Sequence, residues 1–260
     1  MGTRLAGKHA LITGGSRGIG QAIAEAFAAE GCTLTLNARD PNRLQQRCDA
    51  IARDHGVEVV AAPCDVTDGN AVRAMVAAVD VVRPIDVLVN NAGIHVPNRF
   101  IDYSFEQFRA VMESNVYSVF HVTQATLPGM MERRQGRVIN LASSAGKWGS
   151  RNQSAYNASK HAVVGLTRCL GLEMAPYNVL VNAICPWIVD TDMATGFMEQ
   201  HASVLGIGQE ELAARFSAAA PLQRWIEPRE VAGLAVYLAS DDASYINGQA
   251  WAVDGGYTMI

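Results

Sequence analysis

ALITGGSRGIGQAIAEAFAAEG, residues 10–31, decides the fold. It reads as a buried apolar strand, a tight glycine turn and an amphipathic helix. Gly14, Gly18 and Gly20 stand in the spacing G-x-x-x-G-x-G. Glycine there lets backbone N–H groups approach a pyrophosphate, and the helix N-terminus behind it adds positive potential. A lone glycine triplet is a weak signal. This one occupies the first strand–helix junction, the setting in which such loops hold phosphates. The alternative is a turn that holds none.

Outward from the loop, short β-rich apolar runs alternate with helix-length segments. Strands are expected at His9–Thr13, Thr33–Asn37, Val57–Pro63, Ile85–Asn90, Arg137–Ala142, Val179–Ile184 and Gln249–Val253. Helices are expected at Gly18–Glu30, Pro41–Asp54, Asp68–Val79, Phe105–Glu132, Ala155–Ala175 and Glu227–Leu238. Strands buried on both faces and separated by helices predict an α/β fold: a Rossmann-type, doubly wound parallel sheet of about seven strands with helices on both faces. Such sheets bind ligands at the carboxyl ends of their strands. One stretch, 190–221, breaks the alternation. Its helical fragments carry Gly196, Gly206 and Gly208, expected to interrupt them. An insertion of this size after a late strand is expected to be a substrate lid, the alternative being an extra surface helix pair.

The chain has 260 residues and a formal net charge of −4, which predicts one domain over 1–260 with a substantial core. Charge is spread without a basic stripe or acidic block, so nucleic acid and anionic membranes are not expected partners. The N-terminal apolar stretch stops at Thr13, and no later run approaches the ~20 apolar residues of a membrane span. The five cysteines, Cys32, Cys48, Cys64, Cys169 and Cys185, are widely spaced with no C-x-x-C. Reduced thiols in a cytoplasmic protein are therefore expected, and no metal site.

SAYNASK, residues 154–160, sets Tyr156 and Lys160 four positions apart on one helix face. A phenol with a pKa near about 10 exchanges protons poorly at neutral pH, and an ammonium beside it favours the phenolate. A tuned tyrosine could then protonate a carbonyl oxygen or do the reverse. Composition sharpens the pair. Lys8, Lys147 and Lys160 are the only lysines among 21 basic side chains. A lysine at this spacing therefore reads as a need for a compact ammonium instead of a guanidinium fork.

The chain resembles the short-chain dehydrogenase/reductase family, in particular its 3-oxoacyl-thioester reductase branch. TGGSRGIG resembles that family's T-G-x-x-x-G-x-G fingerprint. CDV (64–66) is similar to its adenine-contacting Asp-Val, NNAG (90–93) to the motif closing its fourth strand, SNV (114–116) to its helix asparagine, and VDGGYTM to its C-terminal ending. The resemblance covers nearly the whole chain. It implies a tetrad of Asn115, Ser143, Tyr156 and Lys160. Tyr156 is then the acid/base, and Lys160 lowers its pKa and binds the nicotinamide ribose. Ser143, in RVINLASSAG (137–146), bonds the substrate oxygen, with Ser144 a bland neighbour. Asn115 holds a relay water, or else marks a local kink or a satisfied polar group.

The implied cofactor contacts are Gly14, Ser16, Arg17, Gly18, Ile19, Gly20, Arg39, Asp65, Val66, Asn91, Ala92, Gly93, Tyr156, Lys160, Pro186, Val189 and Thr191. In LTLNARDPNRL (34–44), Ala38 stands where NAD-selective relatives carry an aspartate, and Arg39 follows. Arg39 and Arg17 together suit a 2′-phosphate, so NADP(H) is the expected cofactor and NAD(H) the alternative. Under that alternative Arg39 stacks on adenine or faces solvent, and Asp40 turns to the ribose.

One motif departs from the family. After the sixth strand the chain reads ICPWIVDTDM (184–193), with Trp187 where the family has glycine. Either the backbone there accepts any residue, or the loop has shifted. Candidate pocket residues are His95, Trp148, Gln153, Trp187, Met193 and Phe197, with Ile94 and Met198 beside them. This apolar lining favours a hydrophobic or aromatic ketone, or an acyl thioester. Lys147 and Arg151 either attract an anionic substrate or are solvated. The expected function is an NADPH-dependent keto reductase acting on a small-molecule ketone. The alternatives are an NAD-dependent secondary alcohol or hydroxy-acid dehydrogenase and a non-catalytic dinucleotide sensor. The resemblance also implies a homotetramer, or a homodimer.

Overall fold

Alternate residues of the first strand enter two different cores: Ala10 and Ile12 pack in one apolar cluster and Leu11 in another. The same period of two runs through Val87, Leu88 and Val89 of the fourth strand. Side chains that alternate between two buried faces define a sheet covered on both sides. The computed structural model describes residues 3–259. Its strands are β1 (His9–Thr13), β2 (Thr33–Asn37), β3 (Val59–Ala61), β4 (Val87–Asn90), β5 (Gly136–Leu141), β6 (Val179–Pro186) and β7 (Ala250–Val253). They form one sheet in the order β3-β2-β1-β4-β5-β6-β7, every pairing parallel. The order reverses between β1 and β4, and this switch point opens the crevice at the carboxyl ends.

The helices are α1 (Gly18–Ala29), α2 (Pro41–His55), α3 (Gly69–Val82), α4 (Phe105–Met112), α5 (Ser118–Arg133), α6 (Ser154–Met174), α7 (Asp192–Leu205), α8 (Gln209–Ala219) and α9 (Pro228–Ala239). Helix α1 lies between α2 and α9 on one face of the sheet, and α3, α5 and α6 cover the other. Side-chain caps fix several starts: Asp40 accepts from Asn42 and Arg43 N–H, and Asp68 from Asn70 and Ala71 N–H.

Four expectations are corrected. The single helix expected over Phe105–Glu132 is two helices joined by a π-turn, Glu113–Tyr117, which contains Asn115. Gly196 does not interrupt anything; it lies inside α7, because a helix tolerates one glycine at a cost of about 1 kcal/mol. The break falls at Gly206, left-handed at φ 67°, with Gly208 capping α8. The edge strand β3 is shorter than expected, and β6 runs on to Pro186. Helices α7 and α8 share a small core of Phe197, Met198, Ala202 and Leu212, so Met198 packs within the helix pair. Among the described residues no helix is long and apolar enough to cross a membrane, and all five cysteines are free, with Cys169 exposed.

Candidate active site

Two cavities meet at the carboxyl ends of the strands. The larger, about 390 Å3, runs along β1, β2 and β4; the smaller, about 120 Å3, lies under α7 and α8. The glycine loop floors the first. Gly14 has φ 64°, and a side chain there would put Cβ 2.8 Å from the Asn91 amide nitrogen. That amide donates to the carbonyls of Thr13 (2.9 Å) and Gly14 (3.1 Å), stapling the loop to the end of β4. At Gly20 a Cβ would lie 2.4 Å from the same amide, so this cradle has room only for backbone. Ser16, Arg17, Gly18, Ile19, Asn91, Ala92 and Gly93 line the groove; Gly20 lies beneath it.

At the far end of the groove stand Arg39 and a residue the sequence reading missed, Arg43 in the first turn of α2. Asp40 lines the groove too, but its carboxylate is taken by the α2 cap, at 3.0 Å from Asn42 N–H and 3.1 Å from Arg43 N–H. Asp65 accepts from the Thr67 N–H (2.9 Å) and hydroxyl (2.8 Å). Those bonds hold its pKa below the usual carboxylate value, with the Arg39 charge adding to them. Val66, Ile94 and Pro186 complete the lining.

Tyr156 lines both cavities; Lys160 lines the groove alone and Ser143 the pocket alone. Lys160 Nζ sits 5.6 Å from the centre of the Tyr156 ring and donates to the Leu141 carbonyl at 2.8 Å. The Ser143 hydroxyl accepts from Ala145 N–H at 3.1 Å and donates to the Pro186 carbonyl at 3.5 Å. Asn157 ties this loop to α6, donating to the carbonyls of Ala145 (3.1 Å) and Trp148 (2.7 Å). Ser144 is buried and its side chain caps nothing; the cap belongs to Ser143.

Burial raises the Tyr156 pKa to about 12, and a hydrogen bond from Ser143 acts the other way. Burial also lowers the Lys160 pKa to about 8, and its ammonium donates to the Leu141 carbonyl. The Asn115 amide is satisfied within the protein: Oδ1 accepts from Ile94 N–H (2.8 Å), and Nδ2 donates to Ile94 O (3.0 Å) and Ser159 Oγ (3.0 Å). It lines neither cavity, and pins the chain after β4 to α6.

The smaller cavity gathers His95, Trp148, Gln153, Trp187, Met193 and Phe197, all expected, and adds Ile188 and Phe216. Phe216 comes from α8, and nothing local in the sequence marks it. The His95 ring meets Tyr156 edge-on at 4.2 Å and Phe197 at 4.5 Å, and its Nε2 pairs with Gln153 Oε1 at 3.1 Å. Burial lowers its pKa to about 3. Lys147 and Arg151 are exposed and line neither cavity. Trp187 is settled by its backbone: the described non-glycine residues with positive φ are Arg134, Asn152, Asn178 and Gln223. Position 187 therefore does not need the backbone freedom of glycine, and its N–H bonds the Val253 carbonyl at 3.1 Å. Val189 is buried and bridges to Ile226, while Thr191 lines both cavities and caps α7.

Known proteins share this arrangement. A family model described as Enoyl-(Acyl carrier protein) reductase matches residues 14–258. The 3-oxoacyl-(acyl-carrier-protein) reductase FabG of Vibrio cholerae is 37% identical over 258 residues, covering 98% of this chain and 99% of that one. The D-beta-hydroxybutyrate dehydrogenase of Rhizobium meliloti is 36% identical over 254 residues, 96% of this chain and 98% of the relative. Among solved structures, a single-site variant of actinorhodin polyketide ketoreductase with NADPH superposes with a TM-score of 0.93 at 38% identity, covering 99% of each chain. With the fingerprint loop, the Tyr156–Lys160 helix and these likenesses in hand, the chain belongs to the short-chain dehydrogenase/reductase family.

Proposed function

We propose that this protein is an NADPH-dependent carbonyl reductase, converting a ketone to a secondary alcohol, with 3-oxoacyl thioesters among its candidate substrates. One observation carries the reading: Tyr156 is a shared wall, with Lys160 on the groove side and Ser143 on the pocket side. A group exchanged between the cavities passes this phenol. The groove fits a dinucleotide phosphate, because its floor excludes side chains and its end carries Arg39 and Arg43, with Arg17 at the head of α1. Guanidiniums around a 2′-phosphate give charge-assisted, forked hydrogen bonds, and Ala38 leaves no carboxylate at the end of β2. Bound there, NADPH supplies the hydride.

The chain's own residues do the rest. Ser143 directs its hydroxyl at the substrate oxygen and stabilises the charge that develops on it. Tyr156 gives its proton to that oxygen as the new C–H bond forms. A pKa pushed up to about 12 keeps the phenol protonated in the resting enzyme, which is the form that reduction consumes. The phenolate left behind faces the Lys160 ammonium and recovers a proton from its side. Asn115 acts by position, holding the Ile94 backbone against α6. Helices α7 and α8 are the lid that excludes water.

We further infer a cytoplasmic homotetramer. Exposed Tyr117 and Phe120 on the π-turn and α5, Leu172 on α6, and Trp251 on the edge strand β7 support two self-associating faces.

The test is a panel of ketones and alcohols assayed with NADPH, NADH, NADP+ and NAD+. The expected result is ketone reduction with kcat/KM for NADPH at least about tenfold above NADH, the loss of one charge-assisted contact. Activity confined to NAD+-driven alcohol oxidation would sink the reading in favour of a dehydrogenase.

A further inference from the structure

The chain beyond β7 folds back onto the site. Asp254 is buried, and its carboxylate accepts from Gly256 N–H (3.0 Å), Thr258 N–H (3.0 Å) and the Thr258 hydroxyl (2.6 Å). Gly255 and Gly256 take φ 60° and 89°, which a side chain resists, and a Cβ on Gly256 would press Pro221 at 3.2 Å. This tight turn lays the Tyr257 ring flat on the Trp187 indole, with centroids 3.6 Å apart and planes 19° from parallel. Tyr257 also meets Trp148 edge-on at 4.6 Å.

Offset aromatic pairs usually keep centroids about 4.5–7 Å apart. The direct overlap here is therefore set by the turn and not by ring preference. Tyr257 does not itself line the pocket; Trp187 and Trp148 do. With Tyr257 covering one indole face and the Phe216 ring tilted at 5.5 Å, packing restrains Trp187 away from the cavity it lines. A position that the family leaves open as glycine is here a fixed flat wall, in a cavity already the smaller of the two.

We propose that the C-terminal turn is part of the substrate site. Tyr257 is a positioning residue that holds Trp187 as a planar wall, and the wall selects ketones bearing a flat, unsaturated ring. The inference rests on the carbonyl-reductase reading and deepens it. A planar ring can lie on an indole with full contact, whereas the axial hydrogens of a saturated ring hold it off. A well-placed aromatic pair adds up to about tenfold in affinity over area burial alone.

The experiment compares 1-phenylethanone with 1-cyclohexylethanone, equal in heavy atoms and different in planarity, under NADPH. Conjugation alters the intrinsic reactivity of the phenyl ketone, so the readout is how the phenyl-to-cyclohexyl ratio of KM changes between variants. Tyr257→Leu is expected to raise KM for the phenyl ketone about tenfold and that for the cyclohexyl ketone less than twofold, the size of one lost aromatic contact. NADPH binding and kcat stay near the parent values. Tyr257→Phe, which keeps the stack, is expected to keep the parent ratio and serves as the folded control. A Tyr257→Leu enzyme with an unchanged ratio, or equal losses on both ketones, overturns the proposal. So does a Tyr257→Phe enzyme that loses the ratio, since the hydroxyl would then be the active group. An enzyme that reduces neither ketone but oxidises alcohols sinks the reductase reading alone. The wall is then read from 1-phenylethanol against 1-cyclohexylethanol with the same variants.

Discussion

The two cavities sit side by side and are built in opposite ways. The cofactor groove comes from consecutive strand ends and the turns after them, with a backbone floor and arginines at one end. The smaller cavity draws on the loop after β4, the loop after β5, the end of β6, helices α7 and α8, and the C-terminal turn behind them. Its surface is aromatic side chains. A groove made of backbone can be specified by a short run of glycines. A pocket made of side chains from distant segments can change its shape without touching the groove. Tyr156, common to both, is where the difference becomes chemistry.

The sharpest break of that comparison is at the shared residue. Tyr156→Phe keeps the ring that meets His95 and removes only the proton donor. Turnover is expected to fall at least about 10³-fold, the scale of general-acid catalysis, with NADPH affinity by fluorescence within twofold of the parent. Near-normal turnover would mean that the proton comes from elsewhere. The next test stays inside the groove. Arg39→Ala is expected to raise KM for NADPH about tenfold to a hundredfold, as for a lost charge-assisted contact, and to leave KM for NADH and all ketone constants unchanged. Equal losses with both cofactors would assign Arg39 to the adenine face. The smallest effect concerns the pocket wall. His95 has a folded pKa of about 3, and an unfolded histidine titrates near about 6.5. Below that upper value the unfolded chain binds the proton first, so stability falls as pH drops from about 6.5 towards 3. At pH 5 the contribution is at most about 2 kcal/mol. Melting curves between pH 7 and 5 should fall less steeply for His95→Gln than for the parent. Parallel slopes would show that His95 does not carry this term; His201, shifted in the same direction by burial, is the next candidate.

Much of the groove was legible because its parts are local. The loop Gly14–Gly20 lies between one strand and one helix, and Arg39 directly follows its strand. Arg43 was missed: it lies beyond the Asp40 cap, and only the placement of the first turn of α2 brings it to the groove. The pocket was legible only as a set of candidates. His95, Trp148 and Gln153 follow recognisable motifs, whereas Phe216 sits in a segment with no local pattern, and nothing in VDGGYTM marks the contact of Tyr257 with Trp187. The role of Asn115 was also open in sequence. A polar residue in mid-helix reads equally as a ligand or as a satisfied group, and the π-turn and the Ile94 and Ser159 bonds are visible only in the fold.

The sequence by itself determined the alternation of strands and helices, the phosphate loop, and the Tyr156–Lys160 spacing. Each depends on periodicity or on a contact within one turn of chain. Only the tertiary structure decided the direction in which the two pKa values move and the wall of the pocket. Spacing puts an ammonium near a phenol, but burial of both groups raises one pKa and lowers the other. Likewise, a tryptophan in place of a glycine is one letter, ICPWIVDTDM, until Val253 bonds its N–H and Tyr257 stacks on its ring. Desolvation and packing are sums over neighbours far apart in the chain, and no short stretch of sequence contains them.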